Sequence, residues 1–521
     1  MKRGHSRTAC MSLNGDSEPR ARLLSGPALV AYLAAVALAL HFLTNGQYGY
    51  HGDELYFIAC GEHLDFGYVD HAPLIAVVAK ASRLLLGDSL FAIRFFPALA
   101  GAATIVLTGM IVRVLGGLRF AQCLAALSVL IAPVYLRAGN MLGIPAFEPL
   151  FWTLASYLVI IVVKHDRPRL WLAVGAVAGL GLLNKHSMLL WGFGLVIGLL
   201  ITPARKHLLN KWLWVGGLVA FLIFLPNLIW QIQHDWLTLK FIRNLNEHVM
   251  SRISPLEFGF GQIFYIHPAN APIWLLGLVY LLWAARARPY RFLGWSYVAL
   301  FVLLNVIKSK IYYLSPAYPV LLAAGALAVD EFIRRRAWLW ARSAVAAILV
   351  AAGGLFVPVG LPVFPLAECE RYIRVMTGGV LDNIHEVTEL YHGMYGWENQ
   401  VAVISRVYEE LPVEERAVCS IWTRDYAQAG AVDFFGERHG LPRALCGHMS
   451  YHLWGPGDAT GDVIITLGIP SDWLEDLFDD VTLADTVESE IALPWETNLP
   501  VYICRDPRAP IKEWWSNVRS F

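Results

Sequence analysis

The sequence predicts a mainly α-helical, multi-pass membrane protein with about eleven transmembrane helices and a C-terminal soluble α/β domain. The 521 residues are 57% hydrophobic and only 16% charged, whereas soluble proteins carry about 25% charged residues. The apolar residues also gather in runs close to the roughly 20 residues that a helix needs to cross a bilayer. The chain becomes acidic and polar only after about residue 366, which predicts the soluble domain.

Eleven apolar segments are the predicted spans. They are residues 24–43, 91–112, 120–136, 146–163, 170–184, 187–202, 212–230, 270–285, 292–307, 313–333 and 340–358. We expect the first segment to be retained as a helix rather than cleaved as a signal peptide, because more spans follow it. The fifth and sixth segments are short and tightly joined, so a tilted and a re-entrant arrangement both stay open.

Basic residues predict the orientation of these spans, because cytoplasmic loops are enriched in Lys and Arg. With residues 1–22 as a cytoplasmic tail, every second loop is rich in Arg or Lys. Residues 44–90 and 231–269 then lie outside the cytoplasm. The predicted domains are the tail, a membrane domain over residues 23–358 and an extracytoplasmic domain over residues 359–521, in an inner or plasma membrane.

The first large loop, residues 44–90, places two adjacent carboxylates, Asp53 and Glu54, directly after the first span. Charged residues at a membrane boundary mark either a solvated helix end or a functional site. We expect a short helix over residues 54–63 and an amphipathic helix after residue 70. Asp70 either caps that second helix or joins an acidic site, and both interpretations stay open.

Basic and aromatic residues at the ends of later spans are candidates for binding a phosphate. Lys185 lies in the turn between the fifth and sixth segments, and Lys308 and Lys310 precede Tyr313. Such residues are ordinary membrane anchors. Ammonium and phenol groups are also the donors that a phosphate accepts, so both interpretations are kept.

The C-terminal residues alternate between strand-like and helical segments, which predicts a small α/β domain. We expect strands at residues 401–404, 417–422 and 463–467 and a helix at residues 424–439. Four cysteines in this domain can form disulfides in an oxidising compartment, in three combinations: Cys369, Cys419, Cys446 and Cys504. The domain shows no evident catalytic set, so we expect it to contribute to acceptor choice or stability.

Composition also argues against several classes of ligand. Lys and Arg number 41, as do Asp and Glu, so the chain lacks the basic excess of a nucleic-acid-binding protein. The sequence contains neither a Gly-rich phosphate loop nor a CxxC pair. The oxygen atoms of Asp53 and Glu54 suit a divalent metal, but two carboxylates do not by themselves make a site.

Seven tracts spread over nearly the whole chain carry a family resemblance. They are residues 50–56, 67–74, 181–188, 225–231, 308–319, 426–431 and 447–456. The first two read YHGDELY and GYVDHAPL. Together these tracts resemble the bacterial family 39 glycosyltransferases, relatives of the protein O-mannosyltransferases and the lipid A sugar transferases with the GT-C membrane architecture. The chain departs from that pattern at residues 71–73 and 184–188, which leaves the sugar open.

The resemblance implies transfer of a sugar from a polyprenyl-phosphate donor to an extracytoplasmic acceptor, with inversion at the anomeric carbon. It implies that Asp53 is the catalytic base, that Glu54 orients it or binds a metal, and that Asp70 is a second acidic residue. The residues expected at the donor phosphate are Lys310, Tyr313, Lys185 and Lys308. The acceptor, which can be lipid A, another envelope glycan or a protein, stays open.

Two other functions are compatible with many helices and few membrane charges. One is a lipid or sugar transporter or flippase, and the other is a non-catalytic envelope assembly protein. Transporters often show repeated halves and broken helices at the membrane midplane. This sequence shows no internal repeat, and its acidic residues gather in one loop, which favours the transferase.

Overall fold

A computed structural model describes residues 23–248, 253–377 and 385–520, so the predicted tail, residues 1–22, lies outside the described residues. The chain forms a large helical part followed by a small domain built on one sheet. The α-helices of the helical part are α1 (Gly26–Thr44), α2 (Gly52–Glu62), α3 (Leu74–Leu86), α4 (Leu90–Ile93), α5 (Phe95–Val114), α6 (Arg119–Leu130), α7 (Pro133–Gly139), α8 (Glu148–His165), α9 (Trp171–Asn184), α10 (Met188–Leu200), α11 (Lys211–Gln233), α12 (Leu237–His248), α13 (Pro255–Tyr265), α14 (Ala271–Trp283), α15 (Arg291–Val306), α16 (Tyr318–Arg335) and α17 (Trp340–Gly360).

Each of the eleven predicted spans forms a helix, which confirms a multi-pass membrane protein. Within the described residues, six spans are long and apolar enough to cross a bilayer, or up to nine if three bent helix pairs each count as one span. The predicted segments at residues 170–184 and 292–307 form helices of 14 and 16 residues, shorter than a straight span needs. By length and composition the count is therefore six to nine rather than eleven.

Small residues set how closely the helices of the membrane part pack. At the crossing of α14 and α16, a Cβ atom on Gly277 would lie 2.0 Å from the carbonyl oxygen of Leu321. A Cβ atom on Gly325 would lie 1.9 Å from the carbonyl oxygen of Ile273. Only glycine permits this approach, and such close contacts stabilise helix pairs in a bilayer, where burial of apolar surface from water does not.

The chain after α17 begins with two helices, α18 (Leu366–Thr377) and α19 (His385–His392), and continues into the sheet domain, residues 397–520. The α-helices of the sheet domain are α20 (Trp397–Glu410), α21 (Val413–Val418), α22 (Tyr426–Phe435), α23 (Met449–Trp454), α24 (Ser471–Glu475) and α25 (Ile511–Trp514). Its strands are β1 (Cys419–Thr423), β2 (Ala444–Cys446), β3 (Val463–Leu467), β4 (Phe478–Val487) and β5 (Leu499–Pro507). The sheet order is β2-β1-β3-β5-β4. β2, β1 and β3 are parallel, while β5 is antiparallel to both β3 and β4.

The predicted α/β domain is confirmed, with one element wrong. Residues 463–467 form a strand as predicted, and the predicted strand at 417–422 begins two residues later, at Cys419. Residues 401–404 lie in helix α20 rather than in a strand. All six cysteines among the described residues are free, so the structure contains none of the disulfides considered from the sequence.

The first-loop helices α2 and α3 pack against the sheet domain. Leu55 of α2, Ala429 and Val432 of α22, and Ile465 of β3 belong to one continuous buried cluster. Gly430 permits a close contact, because a Cβ atom there would lie 2.9 Å from the carbonyl carbon of Leu55. The first loop and the sheet domain, far apart in the chain, therefore bury their apolar surface together.

Candidate active site

Helix α2 begins with a capping arrangement that buries one of its two carboxylates and leaves the other accessible. His51 is the N-cap, and its Nδ1 accepts the backbone N–H of Asp53 at 3.1 Å. The carboxylate of Glu54 accepts the backbone N–H of His51 at 2.9 Å, which completes a reciprocal capping box. The side chain of Asp53 is 39% exposed, whereas that of Glu54 is fully buried. Only Asp53 of the predicted pair is therefore open to a substrate.

Glu54 is held by a buried arginine. Arg94, at the junction of α4 and α5, donates from Nε to Oε1 at 2.9 Å and from a terminal nitrogen to Oε2 at 2.7 Å. The backbone N–H of Leu142 donates to Oε1 at 2.7 Å. With the His51 bond, each oxygen of Glu54 accepts two hydrogen bonds. These four bonds occupy both oxygens of Glu54, and the described residues contain no group of three or more His, Cys, Asp or Glu side chains placed for a metal.

Asp70 does not cap the helix that follows it. Helix α3 begins at Leu74 with Pro73 as the N-cap, and no side chain bonds to its first turn. The Oδ1 atom of Asp70 instead accepts the hydroxyl of Tyr56 at 2.9 Å. The side chain is 21% exposed. Of the two interpretations of Asp70, the structure supports its place beside the acidic site.

The sheet domain supplies two side chains to this acidic site. The hydroxyl of Tyr426, the first residue of α22, donates to Oδ1 of Asp53 at 2.8 Å. Ser450, in α23, places its Oγ 2.8 Å from the hydroxyl of Tyr56, which in turn holds Asp70. The rings of Tyr426 and Tyr56 lie 4.7 Å apart. The sheet domain, which shows no evident catalytic set in the sequence, therefore reaches the carboxylates of the first loop in the structure.

Sequence reasoning did not identify Tyr426, Ser450 or Tyr56 as site residues. Tyr426 and Ser450 lie in the tracts at residues 426–431 and 447–456 that carry the family resemblance, which is the one signal that the sequence offered. The contact between Tyr426 and Asp53 joins residues that are 373 positions apart in the chain. No local pattern encodes a pairing across that distance.

A second cluster forms around Lys185, between α9 and α10. Its Nζ lies 2.9 Å from Oε2 of Glu148 and 4.3 Å from the ring centre of Tyr313. Glu148 is buried at the start of α8 and also accepts the hydroxyl of Ser187. The structure thus brings Lys185 and Tyr313 together as predicted, and Glu148 is a partner that the sequence did not indicate.

The predicted phosphate ligands Lys308 and Lys310 lie in the short connection after α15. Lys308 is exposed with a φ of 51°, and Lys310 is half-buried at the start of the turn Ile311–Ala317. Among the described residues, neither side chain forms an ion pair. Lys185, in contrast, is already paired with Glu148. An incoming anion would therefore meet the positive charge of Lys308 and Lys310 without a competing carboxylate.

The Lys185 turn is tethered to the first loop. The next residue, His186, shares a hydrogen bond of 3.1 Å between its Nε2 and the Oδ1 of Asn227 in α11. The amide nitrogen of Asn227 donates to the carbonyl oxygen of Phe66 at 2.7 Å. These bonds tie the turn that carries Lys185 to the first loop through the side chain of Asn227.

Next to the Tyr426 contact lie two neighbouring carboxyl groups, of which Asp425 is half-buried and Glu496 is buried. Asp425 caps α22, accepting the backbone N–H groups of Ala427 and Gln428 at 2.9 and 3.1 Å. Glu496 is 3% exposed beside it and accepts the side-chain amide of Gln428 at 2.9 Å. Burial, followed by the negative charge of Asp425, raises the pKa of Glu496 from 4.5 to about 7.

This shift predicts that the sheet domain loses stability as the pH rises from about 4.5 to about 7. In that window the unfolded chain has released the Glu496 proton and the folded chain still binds it, so the free energy of unfolding falls with rising pH. Glu496→Gln should therefore raise the thermal midpoint at pH 8 by an amount corresponding to about 1–3 kcal/mol, and leave it nearly unchanged at pH 4. Thermal unfolding across this pH range measures the effect, with the exposed Glu490→Gln as control. An increase of equal size at both pH values would contradict it.

Comparison with known proteins shows which family and which curated relative this chain is similar to. Residues 70–230 match the dolichyl-phosphate-mannose-protein mannosyltransferase family. Over 200 residues the chain is 28% identical to the lipid A galacturonosyltransferase RgtD of Rhizobium johnstonii, a match that covers 37% of this chain and 41% of that protein. The chain thus spans about two fifths of the length of this curated relative. The family match includes Asp70 and Lys185 and begins after Asp53.

The fold is also that of a solved membrane protein. ArnT from Cupriavidus metallidurans in the apo state superposes with a TM-score of 0.59 at 17% identity, covering 91% of this chain and 97% of that chain. The same protein bound to undecaprenyl phosphate gives a TM-score of 0.58 at 18% identity, with the same coverage. The chain is thus similar to this mannosyltransferase family over residues 70–230, and it shares the fold of ArnT over 91% of its length.

Proposed function

We propose that this protein transfers a sugar from a polyprenyl-phosphate donor to an acceptor on the extracytoplasmic side of an inner or plasma membrane. The observation that carries the proposal is the accessible carboxylate of Asp53, fixed by Tyr426, in a fold whose basic cluster is connected to the same loop. The description of one relative as a lipid A galacturonosyltransferase and the undecaprenyl phosphate bound by ArnT support a lipid-phosphate donor.

The geometry of Asp53 suits a general base. Its Oδ1 accepts the Tyr426 hydroxyl, while its Oδ2 lies 3.8 Å from Nδ1 of His51. That nitrogen already accepts the backbone N–H of Asp53, so it has no proton to donate to Oδ2. One carboxylate oxygen is thus anchored and the other is available to take the proton of an acceptor hydroxyl as that hydroxyl attacks.

The remaining steps follow from the chemistry of the donor. As the bond from the anomeric carbon to the phosphate breaks, the sugar passes through an oxocarbenium-like state. The acceptor attacks from the face opposite the phosphate, so the anomeric configuration inverts. The phosphate leaves with growing negative charge, which Lys310, Lys308 and the Lys185–Tyr313 cluster would stabilise electrostatically. Asp70, held by Tyr56, would contribute a second negative charge near the developing cation.

A transporter or flippase is the alternative function. It would use the same helices to move the lipid without breaking a bond. The anchored and accessible Asp53 favours the transferase, because a transport protein has no need of a base aligned by a second domain. The two functions differ in one product, since only the transferase releases the polyprenyl phosphate free of its sugar.

The test is a transfer assay with purified protein in native lipid. Radiolabelled polyprenyl-phosphate sugars are added one at a time with three acceptors: lipid A, an envelope glycan preparation and membrane protein. We expect one donor to label one acceptor class with release of polyprenyl phosphate. Movement of labelled lipid between leaflets without release would support the flippase instead and would overturn the proposal.

Lys310→Ala tests the phosphate site. Hydrogen bonds to charged groups are worth about 1.5–3 kcal/mol, so the KM for the lipid donor should rise about tenfold or more, with kcat within about twofold. Initial rates at varied donor concentration measure this. Lys512→Ala, an exposed lysine of the sheet domain, is the matched control and should leave KM unchanged. An unchanged KM in Lys310→Ala would remove this lysine from the donor site.

A further inference from the structure

Helix α22 of the sheet domain packs so closely against α2 that glycines are needed at the contact. A Cβ atom on Gly52 would lie 2.7 Å from the Cβ of Ala427 and 2.9 Å from the Trp397 ring. Together with the Gly430–Leu55 contact, this fixes α22 at two points along α2. Tyr426 lies at the start of α22, next to the exposed carboxylate at the start of α2. Its hydroxyl is therefore placed by the packing of two helices rather than by a mobile loop.

The hydroxyl of Tyr426 is a hydrogen-bond donor at every pH of interest. The negative charge of Asp53 is the largest cause of a pKa for Tyr426 well above its ordinary value, and burial adds to it. The charges of Asp70 and Asp425 act in the same direction. The phenol therefore stays protonated and donates a hydrogen bond to Oδ1 of Asp53, while His51 faces the other oxygen.

We propose that Tyr426 is a positioning residue that holds Asp53 in the orientation needed for proton transfer, so that the sheet domain completes the active site. Its catalytic consequence rests on the proposed function. The sheet domain also supports the second carboxylate, Asp70. Its Ser450 forms a hydrogen bond with the hydroxyl of Tyr56, and Tyr56 forms one with Asp70. Both carboxylates thus depend on residues that follow the last span.

The proposal separates the role of Tyr426 from that of the reacting base. The aspartate alone can accept a proton, but a carboxylate free to rotate presents either oxygen, in several rotamers. A donor at 2.8 Å on Oδ1 leaves Oδ2 as the reactive oxygen. Loss of the hydroxyl should therefore lower kcat without changing the KM for the lipid donor, which binds elsewhere.

The experiment compares Tyr426→Phe with Tyr451→Phe. Phenylalanine keeps the ring against Tyr56 and removes only the hydroxyl. Tyr451 is a matched control, because its hydroxyl donates to Oδ2 of Asp433 at 2.7 Å, in the same domain but on a carboxylate outside the site. Thermal unfolding of both variants checks that they fold.

Tyr426→Phe should lower kcat about tenfold, which corresponds to ~1.4 kcal/mol, and leave the KM for the lipid donor unchanged. A water-soluble carbodiimide with an amine should label Asp53 several times faster in this variant, as quantified by peptide mass spectrometry, because the phenol no longer holds the carboxyl. Tyr451→Phe should keep wild-type kcat and Asp53 labelling.

The two readouts separate failure of this proposal from failure of the proposed function. If the wild type transfers sugar and Tyr426→Phe matches it in kcat and labelling, the positioning role is overturned and the function stands. If the wild type transfers no sugar, the function fails, and the labelling rate alone decides whether Tyr426 holds Asp53. A Tyr451→Phe variant that reproduces the Tyr426→Phe effects would also overturn the proposal, because a general loss of domain packing would then explain both.

Discussion

Asp53→Asn should lower sugar transfer by about two orders of magnitude or more, because general-base catalysis contributes about 10²–10⁴-fold. Asparagine has the shape of aspartate, and its amide oxygen can still accept the Tyr426 hydroxyl that now bonds to Oδ1. The capping bond from the Asp53 backbone to His51 does not involve the side chain. The variant should therefore fold and bind donor normally but lack a group that can take the acceptor proton.

The measurement is the initial rate of label transfer at saturating donor, with donor binding followed separately. Asp88→Asn is the matched control, since Asp88 is an exposed carboxylate of the same loop that pairs with Arg83. It should retain nearly full activity. Equal transfer by wild type and Asp53→Asn would remove Asp53 from the mechanism and would turn attention to Asp70.

Arg94→Met should destabilise the protein by about 3–5 kcal/mol, because it leaves the charge of Glu54 buried without a partner. Both side chains are fully buried. Arg94 also donates to the carbonyl oxygens of Asn45 and Gly49, each at 2.7 Å. One guanidinium thus joins the end of α1, the approach to α2 and the start of α5, so its loss should loosen the whole first loop.

Thermal unfolding in detergent measures this prediction through a lowered midpoint. In the double variant Arg94→Met/Glu54→Gln the uncompensated charge is gone, so part of the stability should return. The exposed pair of Arg406 and Asp485, whose arginine side chain is 59% exposed, provides the contrast. Arg406→Met should cost less than ~1 kcal/mol. If Arg94→Met were as mild as Arg406→Met, the pair would not hold the loop in place.

The two neighbouring carboxylates illustrate what the sequence left undecided. Asp53 and Glu54 both carry a carboxylate and follow the first span, so both were candidates for the site. The structure buries Glu54 against Arg94, 40 residues away, and exposes Asp53. Successive residues on a helix point about 100° apart, but which one faces inward depends on the partner that is packed there.

The strand predicted at residues 401–404, which lie in helix α20, was wrong for a different reason. Four apolar residues at 401–404 suggest a strand in a short window. Over a longer window, the buried positions Trp397, Val401, Ile404 and Val407 recur at three- and four-residue spacing, which is the helical period. This information was in the sequence, and the prediction erred because it used too short a segment.

By itself, the sequence determined the properties that depend on neighbouring residues: the apolar spans, the helices of the first loop, the α/β character of the C-terminal domain, and the acidic and basic residues that a sugar transfer would need. The physical basis is local, since hydrophobic runs and capping residues act within a few positions of each other. Only the tertiary structure decided that Tyr426 meets Asp53 across 373 residues, that Lys185 is paired with Glu148, and that Glu54 is buried against Arg94. Those outcomes depend on which surfaces pack together, and packing is a property of the whole folded chain.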